Sequence, residues 1–301
     1  MKKFFATIIV VLFIGGAAQA QVLINETLFD PFGADSSAST GNEYFELRGT
    51  PGLSLAGYYL LSIEGDATAN LGDVNQFFNL GAFSIGANGF LVGFQKFTAY
   101  SPVTVGATAF TNAGTVTGWG TNTGAGTIGY LGDGSQVDIE QPAMTLMLVN
   151  IGGGAAPTTT TDLDADNNGV LDALPAGWTL LDSISVLDGN NAGDFGYGAL
   201  TFRSGTFLGT NLMGNVIDIG FIPRYVGRVG DSTGSTIADW FTSEMTNAPP
   251  NTGFSVASDS RAVGKNISAM QFGGTNNVPE PSVFGVLGFG LAALWLVRRR
   301  R

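Results

Sequence analysis

Along Glu43–Arg48 charged and apolar side chains alternate, so that Glu43, Phe45 and Leu47 share one face of an extended segment and Tyr44, Glu46 and Arg48 the other. This predicts a half-buried strand with Phe45 and Leu47 inward and Glu46 toward solvent. Short runs bounded by turn-formers predict further strands at Val22–Ile24, Tyr58–Ile63, Gly89–Phe94, Thr145–Val149 and Asp182–Leu187. Glycine, asparagine and aspartate clusters separate them at intervals of roughly 8–12 residues, the rhythm of an all-β sandwich or barrel. Only one stretch reads as helical, a short turn through Ala238–Phe241 capped by Ser235 or Thr236. Ala107–Gly134, rich in glycine and threonine, predicts a surface loop or weak edge strands. Gly152–Thr161 predicts a second loop and a possible domain boundary, although one continuous unit with the loop inserted fits the pattern better.

The two ends carry a different pattern. Lys2 and Lys3 precede an apolar run, Phe4–Ile14, and a small-x-small site at Ala18-Gln19-Ala20, the three parts of a secretory signal peptide over residues 1–20. At the other end Val278, Pro279, Glu280 and Pro281 lead into an apolar segment, 282–297, followed by Arg298, Arg299, Arg300 and Arg301. A transmembrane helix there would be about 24 Å long against a hydrocarbon core of ~30 Å, so the arginines must snorkel or the bilayer must thin. The arginines place the C-terminus in the cytoplasm. Residues 278–301 closely resemble the PEP-CTERM sorting signal of Gram-negative bacteria. The resemblance implies processing by an exosortase-type enzyme after signal peptidase. It also implies an intermediate anchored in the inner membrane by the C-terminal helix, then delivery to the cell surface or extracellular matrix. A permanent single-pass anchor is the alternative.

Composition narrows the chemistry. The chain has no cysteine and no histidine, which excludes Ser-His-Asp and Cys-His nucleophile systems and thiolate or imidazole zinc sites. Any metal must be held by oxygen. Of 13 basic residues, two lie in the signal peptide and four in the tail; of 24 acidic residues only Glu280 lies outside the body, so residues 21–277 carry about −16. Such a surface repels nucleic acid and favours cations, basic partners or simple solubility. Packing, with or without metal, must do the work disulfides do in other exported proteins.

Ile24-Asn25-Glu26, Glu43–Leu47 and Leu55–Leu60 resemble the opening of lamin-tail domains. Ala56 replaces the serine of that pattern, and Arg48-Gly49 its Asn-Pro. The resemblance implies an immunoglobulin-like, lamin-tail-like β-sandwich with long loops over residues 21–277, and supports a fold more than a function.

The densest oxygen chemistry lies in a loop at 162–175. Asp164, Asp166 and Asn168 alternate, Gly169 follows, and then come the carbonyl of Val170, the apolar Leu171 and Asp172. These are the first nine positions of an EF-hand-type calcium loop, in which the glycine permits the sharp turn. The loop resembles dockerin and thrombospondin type 3 repeats as much as an EF-hand. Position twelve, where a bidentate glutamate is expected, is Pro175, so another carboxylate must complete the shell. Among Asp162, Asp182, Asp188 and Asp194, Asp182 is the expected ligand. A structural Ca2+ is the expected cofactor, and a solvated Asp/Asn turn without ion is the alternative.

The other groups support bland readings. Glu26, Glu43 and Glu46 mimic a hydrolase's carboxylate pair, but nothing in the sequence places Glu26 beside Glu43. Arg224 and Arg228 offer an anion site or, more simply, partners for nearby carboxylates. Trp119, Trp178 and Trp240 offer sugar-stacking platforms or core packing. The leading expectation is a non-enzymatic surface or matrix protein, calcium-stabilised and sorted by an exosortase-type system. A carbohydrate-binding module holding exopolysaccharide and a calcium- and carboxylate-dependent hydrolase are the alternatives.

Overall fold

The computed structural model describes residues 22–30, 43–66, 70–95, 103–111, 119, 129–131, 139, 143–187, 194–204, 215–219, 221–245, 254–255 and 272–276. The signal peptide, the predicted membrane segment 282–297 and the basic tail lie outside them. Among the described residues no helix is long and apolar enough to cross a membrane. All six predicted strands form, and they are joined by others into two mixed sheets.

The first sheet contains β1 (Val22–Leu28), β2 (Tyr44–Gly49), β5 (Phe90–Phe94), β6 (Thr108–Thr111), β12 (Tyr225–Arg228), β13 (Trp240–Met245) and β14 (Phe254–Ser255). Its strand order is β14-β13-β12-β1-β2-β5-β6. The second contains β3 (Tyr58–Glu64), β4 (Val74–Asn79), β7 (Gly129–Leu131), β8 (Met144–Asn150), β9 (Thr179–Leu187), β10 (Leu200–Arg203) and β11 (Asn215–Asp218), in the order β11-β10-β9-β8-β3-β4-β7. Neighbours are antiparallel except β5 with β6, β9 with β10, and β10 with β11. An immunoglobulin-like domain has seven to nine antiparallel strands. This sandwich is larger and mixed. Both sheets combine early and late strands, and the segment between β8 and β9 that holds Gly152–Thr161 is a long connection between antiparallel neighbours.

The common core follows from strand alternation. Phe45, Leu47 and Leu91 of the first sheet meet Leu60, Phe78 and Leu146 of the second, all buried. Each contributes about 1.5–3 kcal/mol by leaving water. Trp119 closes this core, its ring 5.7 Å from Phe45 and 4.8 Å from Phe78. The expected turn forms only in its first half: Ile237–Asp239 turn, with Asp239 N–H donating to the Thr236 carbonyl at 2.9 Å, whereas Trp240 lies in the central core and Phe241 packs on the outer face of the first sheet, the period-two signature of β13.

Both outer faces are covered as well. Over the first sheet, Phe272 packs against Tyr44 and Phe94 with ring centroids 5.0 and 5.6 Å apart. Over the second, Leu163, Leu171 and Trp178 pack on Tyr59, Leu61 and Val149. Leu171 thereby ties the Asp-rich loop to the body, as its position in the motif predicts.

A β-bulge in β1 positions the first sheet's polar groups. The register with β2 shifts between Ile24 and Glu26. Ile24 points into the core, whereas Asn25 and Glu26 share the outer face with Glu46, the cross-strand partner of Glu26.

Candidate metal centre

Asp164 is the anchor of the Asp-rich loop. It is fully buried and accepts hydrogen bonds from the N–H groups of Asn168 (3.0 Å) and Gly169 (2.8 Å) and from the Tyr197 hydroxyl (2.7 Å). Burial and this contact push the Tyr197 phenol upward. The turn is tightened by Asn167 N–H to the Asp164 carbonyl (2.8 Å), with Asn167 in the left-handed region at φ 51°, and Gly169 at φ 78°. Val170 N–H donates to Asn168 Oδ1 at 2.8 Å, Asn168 Nδ2 to Asp166 at 2.9 Å, and Ala165 N–H to Asp172 at 2.9 Å. Asp172 N–H to the Leu163 carbonyl, 2.8 Å, closes the base.

The chemistry of this donor set fits a hard cation in part. A carboxylate offers about four lone-pair positions, and three on Asp164 are used within the protein. Asp166, Asn168, Val170 and Asp172 are exposed and retain acceptor capacity. Among the described residues, however, no three acidic groups converge closely enough to hold a metal ion.

The structure brings Asp164, Asp166, Asn168, Val170 and Asp172 into one turn but does not bring Asp182 to it. Strand alternation keeps Asp182 away from the loop, where its spacing predicts it as the completing ligand. Asp182 lies on β9 with Ile184 and Val186, on the core side of the second sheet, whereas the loop covers the outer side. Asp182 instead accepts from Arg228 at 2.6 Å and from Ile24 N–H at 2.9 Å. Burial raises its carboxyl above the ordinary range although Arg228 opposes this. The acid brought near the loop is Asp73, bridged through the backbone to Asp162. Burial and Asp162 raise the Asp73 carboxyl too. Gly72 permits this approach, since a Cβ there would lie 2.5 Å from Asp164 Cβ. No local spacing pointed to Asp73 or Tyr197, because both arrive from distant segments.

Glu26, Glu43 and Glu46 are all fully buried. Glu46 therefore does not face solvent. The outer face of β2 is roofed by Phe272–Asn276, and Glu46 accepts from Asn25 Nδ2 at 2.7 Å and Gly273 N–H at 2.6 Å. Burial and the adjacent Glu26 hold the Glu46 carboxyl well above its usual range. Glu26 accepts from the Tyr225 hydroxyl at 2.6 Å. Glycine at 227 makes room for that phenol, since a Cβ there would sit 2.2 Å from the Tyr225 oxygen. Glu43 stands apart and gathers the long connection: Trp119 Nε1 (2.6 Å), Gln95 Nε2 (2.8 Å) and Ile139 N–H (2.8 Å) all donate to it.

The arginines pair with carboxylates, Arg224 with Asp30 at 2.8 Å and Arg228 with Asp182. Arg228 also donates to the Ile24 carbonyl (2.8 Å) and the Gly234 carbonyl (2.6 Å), and its guanidinium lies 4.2 Å from the Trp240 ring centroid. This buried group ties the two sheets where the bulge interrupts the ladder. Trp119, Trp178 and Trp240 are buried.

Residues 277–301 match the PEP-CTERM protein-sorting motif. The motif implies processing by an exosortase-type enzyme, export, and passage through a membrane-anchored form to the cell surface. No curated protein and no solved structure matches the chain.

Proposed function

We propose that this chain is a non-enzymatic protein of the cell surface or extracellular matrix, an exported β-sandwich stabilised by calcium. The sorting motif at 277–301 is the observation that carries the reading. The body supports it: the glutamates that could imitate a catalytic pair are fully buried and bonded within the fold, and the described tryptophans are buried, which leaves them no face for a sugar. The lamin-tail resemblance falls on β1, β2 and the approach to β3, and we read the body as a lamin-tail-like core enlarged by later strands.

Calcium is the second part of the proposal. Asp164, Asp166, Asn168, the Val170 carbonyl and Asp172 would hold the ion, with Asp162 or Asp73 completing the shell in place of Asp182. The bound ion would supply positive charge to a loop whose side chains already form the turn. Extracellular modules bind calcium at 10⁻⁴–10⁻³ M, which suits so exposed a set.

Two measurements test the reading. Fractionation of a host carrying the processing enzyme should find the full chain at the surface or in the matrix, and a chain ending at Asn277 released or misplaced. Equal distribution would overturn the sorting. Calcium should raise the melting temperature of the intact body, and Asp166→Ala should abolish the rise. Asp164→Ala is the wrong probe, because Asp164 holds the turn with or without an ion.

A further inference from the structure

The segment Phe272–Asn276 runs up to the first residue of the matched sorting motif, and each of its ends is fastened to the folded body. Phe272 fills the aromatic cluster of the first sheet, and its carbonyl accepts from Thr104 N–H at 2.7 Å. Gly273 donates to the buried Glu46 and accepts from Asn88 Nδ2 at 2.7 Å. Asn276 is buried, bridges Gly230, and donates to the Arg228 carbonyl at 3.1 Å. Gly273 has φ +79° and sits so close that a Cβ would lie 2.4 Å from Ala107 Cβ. The segment is thus a fitted strap rather than a tether.

We propose that this strap is a latch: the folded body, through Phe272–Asn276, controls when the sorting signal becomes accessible to its processing enzyme. The inference rests on the sorting reading above. Its basis is chain length. Asn277 and Val278 are all that separate buried Asn276 from Pro279, three steps that span at most about 11 Å when extended. The six steps from Asn276 to Ser282 reach at most about 22 Å, so a docked strap keeps the body within that distance of the start of the predicted span. An enzyme that must grip chain on the N-terminal side of Pro279 meets the body unless the strap releases. Local opening of this kind is the general route by which folded chains expose segments, and processing then follows the population of the open form.

Two full-length variants test it in a host that carries the processing enzyme, with conversion followed by pulse-chase and a shift in gel mobility. Gly273→Ala strains the strap and crowds it against Ala107, Val103 and Thr104, none of which lies in a strand. An insertion of ten Gly/Ser residues between Asn276 and Asn277 leaves the strap docked and lengthens the reach by roughly 17 Å. Each should raise the conversion rate about fivefold or more. The two together should do no better than the insertion alone. Conversion at the wild-type rate in the insertion variant overturns the latch, even if Gly273→Ala fails to fold. A wild-type chain never shortened in this host overturns the sorting reading and the latch with it, whereas shortening at equal rates in all chains overturns the latch alone.

Discussion

The acids of the Asp-rich loop and the acids of the sandwich interior have opposite relations to the chain. Asp162, Asp164, Asp166 and Asp172 crowd into one stretch of sequence, yet all but Asp164 end up exposed. Glu26, Glu43, Glu46 and Asp182 are scattered over the chain and end up buried, each with donors from distant segments. Closeness in sequence here goes with exposure to water. Closeness in space marks which carboxylates the fold depends on. In water a charge costs little, so an acidic turn can wait for an ion; inside, every carboxylate needs its donors at once.

That contrast predicts a hierarchy of effects. The largest belongs to Asp182→Ala, which leaves Arg228 charged and unpaired between the sheets and should cost about 3–5 kcal/mol by urea denaturation. Replacing both partners, as Asp182→Leu with Arg228→Met, should recover most of it; no recovery would mean the pair also enforces the bulge. Next comes Trp119→Phe, which removes a donor from Glu43 while keeping a ring in the core, and should cost about 1–3 kcal/mol. Calcium at 10 mM should add about 1.4–2.7 kcal/mol if the site binds in the extracellular range, and chelator should remove it. The smallest change is Asp166→Ala measured in chelator, within about 0.5 kcal/mol of wild type. A large loss there would place the exposed loop acids among the structural ones.

The pH profile offers a separate test of the interior acids. Because burial and Glu26 raise the Glu46 carboxyl above its ordinary 4.5, the folded state holds that proton more tightly than the unfolded chain. The resulting stability is full below the unfolded value and is lost as pH rises through the folded one. Glu46→Gln should flatten this decline, with Asn25 turning its amide to accept from the new side chain. Denaturation midpoints that fall equally with pH in both proteins would show that Glu46 ionises without penalty.

Much of the fold was legible because alternation is local. Phe45 and Leu47 point inward as their spacing predicts, and Leu171 ties down the loop. Glu46 broke the expectation for a reason no local pattern holds: the strand's second face is covered by residues more than two hundred positions away. Trp240 and Phe241 read as a helical turn because short apolar runs do not declare their period.

The residue order itself settled six of the strands, the oxygen-only chemistry, the acidic balance and the sorting motif, since each depends on neighbours within a few positions. Packing decided which acids are sealed, why Asp182 meets Arg228 rather than the loop, and that Phe272–Asn276 is fastened beside the motif. Those outcomes depend on which faces of the two sheets meet and what covers the remaining ones, and strand pairings over long separations are fixed only when the whole core closes.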